Sequence, residues 1–218
     1  PLSPKLQERF NIVPQGISAE LVAEKWGLKR GELDELAAQS HEKAGRAIAE
    51  GRFTREIVPV TLPDGTVFDT DEGVRVPVNR DKIASLAPSF KPDGVVTAAN
   101  SSQISDGAAA LMFMSADKAK ALGLKPRARV VATALAGVDP VIMLTGPIPA
   151  TRRALKKAGL TLDAIDLFEI NEAFASVVLA WERELHPDMT KVNVNGGAIA
   201  LGHPLGCSGA KLMTTLLH

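Results

Sequence analysis

The sequence predicts an α/β fold of layered helices and strands, with a helix-rich unit ahead of it. Three observations carry that expectation. From Gly94 to the end, short apolar runs rich in β-branched residues alternate with helical patterns, the order that gives a layered α/β domain. The first 80 residues instead hold amphipathic helices and a polar, turn-rich stretch. Finally, 193–210 gathers five of the eighteen glycines, one of the four histidines and the only cysteine into a strand-turn-helix pattern. Glycine that dense loses backbone entropy on folding, so its use implies tight turns or backbone that closely approaches something.

Taken in order, Ser18 is placed to cap a short helix over 19–26. A longer one over 29–50 carries Leu33, Leu36, Ala37, Ala44, Ala47 and Ile48 on one side and charges on the other, and Gly51 ends it. Residues 55–61 and 66–69 read as strands around the turn Pro63-Asp64-Gly65, followed by a polar loop with Asp69, Asp71, Glu72 and Arg75. Strand 94–99 leads through a polar loop, with Ser105 or Asp106 as cap, into a small-residue helix over 108–114. Such strand-loop-helix units host ligands in α/β folds. Strand 129–136, a loop containing Met143, helix 149–159, strand 165–170 and helix 173–185 follow. Residues 192–194 end a buried strand. His203 then stands on a Gly-His-Pro turn before a helix that starts at Ser208, with Pro204 biasing it away from helical geometry.

Composition excludes several function classes. The 218 residues carry 25 basic and 25 acidic side chains with no long run of one sign, which argues against a nucleic-acid footprint or an anionic-membrane anchor. No apolar run approaches a membrane span, and no secretory signal is visible. One cysteine cannot form an internal disulfide, so a reducing cytoplasmic setting is expected. His41, His186, His203 and His218 show no metal-ligand spacing, and no metal is expected. Pro1 in place of a methionine, and a last helix still running at His218, predict a piece of a longer protein.

Nucleophilic catalysis needs a nucleophile, a base to activate it and donors for the charge that develops. His203 can serve as base or donor because imidazole titrates near neutrality. Asn171 offers an amide at a strand end, a place suited to holding a water.

Gly202-His203-Pro204 resembles the Gly-His-Pro block of the thiolases, and Asn171-Glu172-Ala173-Phe174-Ala175 matches their Asn-Glu-Ala-Phe-Ala block. Further matches extend the resemblance over almost the whole chain. It implies the thiolase fold, with layered αβαβα core domains and an α-rich loop domain, incomplete here. The expected division is a coenzyme A-covering loop domain at 1–90, the end of the N-terminal core domain at 91–126 and a truncated C-terminal core domain at 127–218. The run from Gly51 to Val60 resembles the loop domain; 97–109 resembles a core segment but departs from it at Ala99, Ser101, Gln103 and Ser105.

By resemblance, His203 and Asn171 are the catalytic residues. Arg75 lies against the nucleotide end of coenzyme A, Ser102 against the pantetheine, and Met143 lines the acyl pocket. Read from the residues alone, Ser102 can be a loop serine bonding its own backbone, Met143 a core filler and Lys82 a solvated charge. Glu172 can orient neighbours or cap the helix that follows it. Neither family cysteine is matched, and Cys207, entering a helix four residues past His203, is not the expected nucleophile.

The implied function is thiolytic cleavage of 3-oxoacyl-CoA by CoA, or the reverse Claisen condensation, in fatty-acid or other lipid or steroid side-chain β-oxidation. The implied assembly is a homodimer or homotetramer with no bound cofactor. Gln15, where many thiolases have methionine, argues against a strict short-chain preference. The alternative is a non-catalytic thiolase-like protein that binds acyl-CoA or lipid.

Overall fold

Helix α3 (Arg30–Ala49) is the support for most of the fold. Glu32 reaches back to accept the Lys29 N–H at 2.7 Å, closing the first turn. Leu33, Ala37, Ala44 and Ala47 recur at helical spacing and are fully buried. Gly51, at φ 68°, ends the helix with the paired bonds Gly51 N–H to Ile48 O and Arg52 N–H to Ala47 O. The structure, a computed structural model, describes residues 3–218; residues 1 and 2 of the expected loop domain lie outside them.

Before α3 come α1 (Pro4–Arg9) and α2 (Gln15–Lys25); after it come the hairpin strands β1 (Val60–Thr61) and β2 (Val67–Phe68) and helix α4 (Arg80–Ala84). The hairpin pairs antiparallel, Val60 with Phe68 and Thr61 with Val67, and is exposed. It is shorter than the sequence predicts. Helix α2 begins earlier than expected, so Ser18 lies inside it rather than capping it. Its buried hydroxyl donates instead to the Val141 carbonyl at 2.7 Å.

The second half holds α5 (Ala116–Ala121), α6 (Pro147–Ala158), α7 (Ala175–Leu185), α8 (Ala198–Leu201) and α9 (Ser208–Leu217). Helix α7 buries Ala175, Val177, Val178, Ala180 and Trp181 between α2, α3 and α6. Trp181 donates to Thr151 Oγ1 of α6 and meets Phe168 edge to face at 5.6 Å. Ala19, Ala23, Leu33, Phe174 and Ile199 join these helices in one apolar cluster.

The expected strands over 94–99, 129–136, 165–170 and 192–194 form no ladder among the described residues. Each is represented by single bridges at most, Pro88 with Thr97 and Phe168 with Val192. A strand needs a neighbour for its backbone groups, and side chains take that part here. Buried Glu20 accepts the N–H groups of Val95 and Val96 at 2.9–3.1 Å. Arg153 and Lys157 of α6 donate to the carbonyls of Leu135 and Thr133.

The expected helix over 108–114 does not form, and neither Ser105 nor Asp106 caps one. That run is apolar all round, so it would need cover on every side, yet Met112 is 82% exposed. The helix starts later, at α5, where Ser115 Oγ accepts the Lys118 N–H.

Candidate active site

The site is built where three loops meet. The first follows the Phe168–Val192 bridge. Asn193, held at φ 45°, uses its side chain to clamp Ile170: Oδ1 accepts the Ile170 N–H and Nδ2 donates to the Ile170 carbonyl, both at 2.9 Å. Asn193 Nδ2 also donates to Glu172. Asn171, between these two fixed residues, is half-buried.

Glu172 is buried and caps nothing on α7, so its role is to orient neighbours. Its carboxyl accepts from Ser40 Oγ of α3 at 2.6 Å, from Asn193 and from the Ile199 N–H at the start of α8. Ser40 Oγ in turn accepts the Gly197 N–H at 3.0 Å. A Cβ on Gly197 would overlap the Glu172 carboxyl, which is why glycine stands there.

The second loop is the turn after α8. Gly202 sits at φ 83°, and a Cβ on it would overlap the Ser105 hydroxyl, so both backbone angle and space demand glycine. Lys211 Nζ, from α9, donates to the carbonyls of Leu201 and Gly202 and so holds the turn. His203 follows, half-buried, with Nε2 3.3 Å from Asn171 Nδ2 and Nδ1 2.5 Å from Ser208 Oγ.

The third loop, 100–105, is stitched between the other two. Ser102 N–H donates to the Ala173 carbonyl, and the Ala175 N–H to the Asn100 carbonyl. The His203 N–H donates to the Gln103 carbonyl at 2.9 Å, beside an Ile104–His203 bridge. The Gln103 amide faces the carbonyls of Gly73, Ile199 and Ala200.

The structure therefore brings Asn171, His203 and the backbone of Ser102 together. Arg75 and Met143 are not among the hydrogen-bonded partners of this cluster. Arg75 is exposed and its backbone N–H donates to His41 Nδ1 at 3.2 Å, only two residues from the Gly73 that Gln103 holds. Met143, at φ 31°, lies in the loop that Ser18 anchors at Val141. Cys207 is half-buried at the start of α9 and its backbone N–H bonds the Pro204 carbonyl.

Electrostatics keeps this site from charging. Burial, with Lys211 adding to it, lowers the pKa of His203 below the ordinary histidine value, so the ring is neutral and fit to accept a proton. Burial also pushes Glu172 up, against its three hydrogen bonds. Glu169 is pushed up to about 8 by burial and by the carboxylates of Glu172 and Glu56, despite Lys211 and Lys43. Glu169 lines a cavity of about 20 Å³ with Asn171, Gly202, Ser208 and Lys211. Among the described residues, no group of three or more His, Cys, Asp or Glu side chains could hold a metal ion, and no helix is long and apolar enough to cross a membrane.

Ser208, Lys211, Glu169, Ser40 and Asn193 are parts of the site that the sequence reading missed. Ser208 alone had a local signal, a serine five residues beyond the histidine at the start of a helix.

Comparison with known proteins places the chain. The family model for the thiolase N-terminal domain matches residues 2–117, and that for the thiolase C-terminal domain matches 124–218. An acetyl-CoA acetyltransferase of Pseudomonas aeruginosa is 54% identical over 217 residues, covering 98% of this chain and 55% of that protein. A 3-ketoacyl-CoA thiolase of Bacillus subtilis is 51% identical over 215 residues, covering 93% and 55%.

Among solved structures, the Bacillus anthracis acetyl-CoA acetyltransferase superposes with a TM-score of 0.92 at 47% identity, over 94% of this chain and 53% of that one. The human mitochondrial 3-ketoacyl-CoA thiolase gives 0.88 at 42% identity, over 94% and 52%. The chain thus spans about half the length of the curated relatives it matches. Over the part covered it has the thiolase fold, and it belongs to the thiolase family.

Proposed function

We propose that the protein containing these residues is a thiolase-type acyltransferase. It cleaves 3-oxoacyl-CoA with a second coenzyme A, or runs the reverse Claisen condensation, in fatty-acid or other lipid or steroid side-chain β-oxidation. The observation that carries this reading is the approach of Asn171 Nδ2 to within 3.3 Å of His203 Nε2, at the meeting of the Asn-Glu-Ala-Phe-Ala and Gly-His-Pro loops. The names of the acetyl-CoA acetyltransferase and 3-ketoacyl-CoA thiolase relatives support it.

In this reading His203 takes the thiol proton of a cysteine supplied by another part of the protein. The thiolate attacks the 3-oxo carbon, and the bond between C2 and C3 breaks. The departing acetyl-CoA enolate takes a proton at C2 from a second cysteine, also supplied by another part of the protein; coenzyme A then gives its thiol proton to that thiolate and takes the acyl group, and the freed nucleophile recovers its proton from His203. His203 and a water held by Asn171 are donors for the oxyanion that forms on the way, an arrangement in which preorganised donors stabilise developing charge. Arg75 meets the nucleotide end of coenzyme A, Ser102 the pantetheine and Met143 the acyl end. Coenzyme A and acyl-CoA are substrates, with no further cofactor.

The domain division proposed is 1–90 over the ligand, 91–126 and 127–218 in the two core domains, in a cytoplasmic homodimer or homotetramer. The test is thiolysis of acetoacetyl-CoA and of longer 3-oxoacyl-CoA by the full-length protein. His203→Ala should lower turnover by at least ~100-fold, the usual scale for a general base. Wild-type turnover in that variant would overturn the proposal.

A further inference from the structure

His203 is held at three points, and two of them decide which ring nitrogen carries the proton. A neutral imidazole has one N–H and one lone pair, so its two ring contacts cannot be chosen independently. At one end, Ser208 Oγ lies 2.5 Å from Nδ1 and 3.1 Å from the Pro204 carbonyl oxygen. The hydroxyl can give its single proton to that carbonyl, in the one-turn-back bond that serines in helices commonly make, beside the Cys207 and Ser208 N–H groups that the same oxygen accepts at 2.9 Å. Its lone pair then faces Nδ1 and accepts the ring proton. At the other end, the Asn171 amide nitrogen has only protons to offer, so Nε2 must carry the lone pair. The Asn171 end sets the tautomer, and the Ser208 end accommodates it. The chain of donors runs from Asn171 Nδ2–H to Nε2, and from Nδ1–H to Ser208 Oγ and on to the Pro204 carbonyl.

We propose that Ser208 is a positioning residue that locks His203 in the Nδ1–H tautomer and so presents the Nε2 lone pair beside Asn171. The histidine side chain in water favours the opposite tautomer, so the site needs a device to reverse that preference. Ser208 is buried on the first turn of α9, where water does not compete for Nδ1 and the backbone is fixed at both ends of the turn. A hydroxyl also suits the task better than a carboxylate would. It accepts the Nδ1 proton's hydrogen bond without adding a negative charge that would hold the imidazolium, so a proton taken at Nε2 is easily given back.

The tautomer stands on this geometry alone, while its catalytic consequence rests on the acyl-transfer reading. The experiment uses full-length protein labelled with ¹⁵N-histidine, with His203→Gln identifying the His203 signals by their loss. Wild-type His203 should show the Nδ1–H pattern of ¹⁵N shifts. Ser208→Ala should move the neutral ring towards Nε2–H and Ser208→Thr should keep it at Nδ1–H. In thiolysis, Ser208→Ala should lose roughly 10- to 100-fold in kcat with KM little changed, the scale for removing the partner that orients a working imidazole, and Ser208→Thr should restore it. A wild-type Nε2–H pattern, or an unchanged ratio in Ser208→Ala, would overturn the proposal; the wild-type spectrum decides even if Ser208→Ala does not fold. The expected spectra with no thiolysis by the wild type would instead overturn the acyl-transfer reading and leave the tautomer assignment standing.

Discussion

Replacing Glu169 with Gln should stabilise the protein, by an amount that grows with pH. Glu169 lines the small cavity behind Asn171, where burial and the Glu172 and Glu56 carboxylates push its pKa from 4.5 up to about 8, against the pull of Lys211 and Lys43. A carboxyl whose pKa is higher folded than unfolded binds its proton more tightly in the folded state. Its contribution is fully present below the unfolded value and is lost as pH rises through the folded one. Integrating between those two values gives a loss of roughly 1 kcal/mol by pH 5, about 3 kcal/mol by pH 7 and about 5 kcal/mol by pH 9.

A neutral amide of the same shape escapes that loss. Urea unfolding of full-length wild type and Glu169→Gln at pH 5, 7 and 9 should show the stability difference widening across the series in favour of the variant. A difference that stays flat with pH, or a variant less stable than wild type at pH 9, would refute the reasoning. It would mean that Lys211 or Lys43 neutralises Glu169 fully in the folded state.

Further outcomes follow from the same geometry. Gly197→Ala forces a methyl group into the Glu172 carboxyl, which three donors hold in place, and should destabilise by roughly 1–3 kcal/mol in urea unfolding; an unchanged midpoint would show that the Glu172 cluster yields freely. Arg75→Ala keeps the backbone bond to His41 and should weaken coenzyme A binding by roughly 1–3 kcal/mol, seen in KM rather than kcat. A fall in kcat alone would place Arg75 near the reacting atoms. Cys207→Ala should leave thiolysis by the full-length protein unchanged, and a collapse of kcat would make Cys207 the nucleophile. The 218 residues on their own should be inactive and self-associate, because Ile104, Leu135 and Met112 are 95%, 92% and 82% exposed; a monodisperse monomer in sedimentation would contradict this.

The longer helices were legible because their signals are local. The spacing of Leu33, Ala37, Ala44 and Ala47 and the stop at Gly51 need no knowledge of distant residues; the helix expected over 149–159 is α6, Pro147–Ala158, while the short α1, α4, α5 and α8 were not read. The runs over 94–99 and 129–136 were read correctly as apolar but wrongly as strands, since a ladder depends on a neighbour that local pattern cannot supply. The run over 108–114 shows the same ambiguity, because a continuous apolar stretch fits helix and strand alike. Asn171 and His203 were legible as a pair because each sits in a specific motif. Glu20 and Ser40 were not, because a buried polar residue declares its role only through partners elsewhere in the chain; Glu172 was singled out, but its two readings, orienting neighbours or capping α7, stayed open until its partners were seen. Ser18 shows the cost of local reading: it looks like a cap, and its hydroxyl in fact reaches Val141.

The bonds from Ser40 to Glu172 and from Gly197 back to Ser40 have a consequence for how the protein is made. They join residues 132 and 157 positions apart. A ribosome adding about 5–20 residues per second needs roughly 7–30 seconds to travel those distances. Helix α3 is complete at the start of that interval, and its local contacts let it form at once. Its partners α7 and α8 do not yet exist. At first, of their buried apolar partners, Leu33 and Ala37 have only α2 and Leu28 against them, Ala44 and Ala47 only Phe53, and Ser40 waits for its carboxylate. The nascent chain therefore carries a partly uncovered apolar helix face until α7 and α8 emerge.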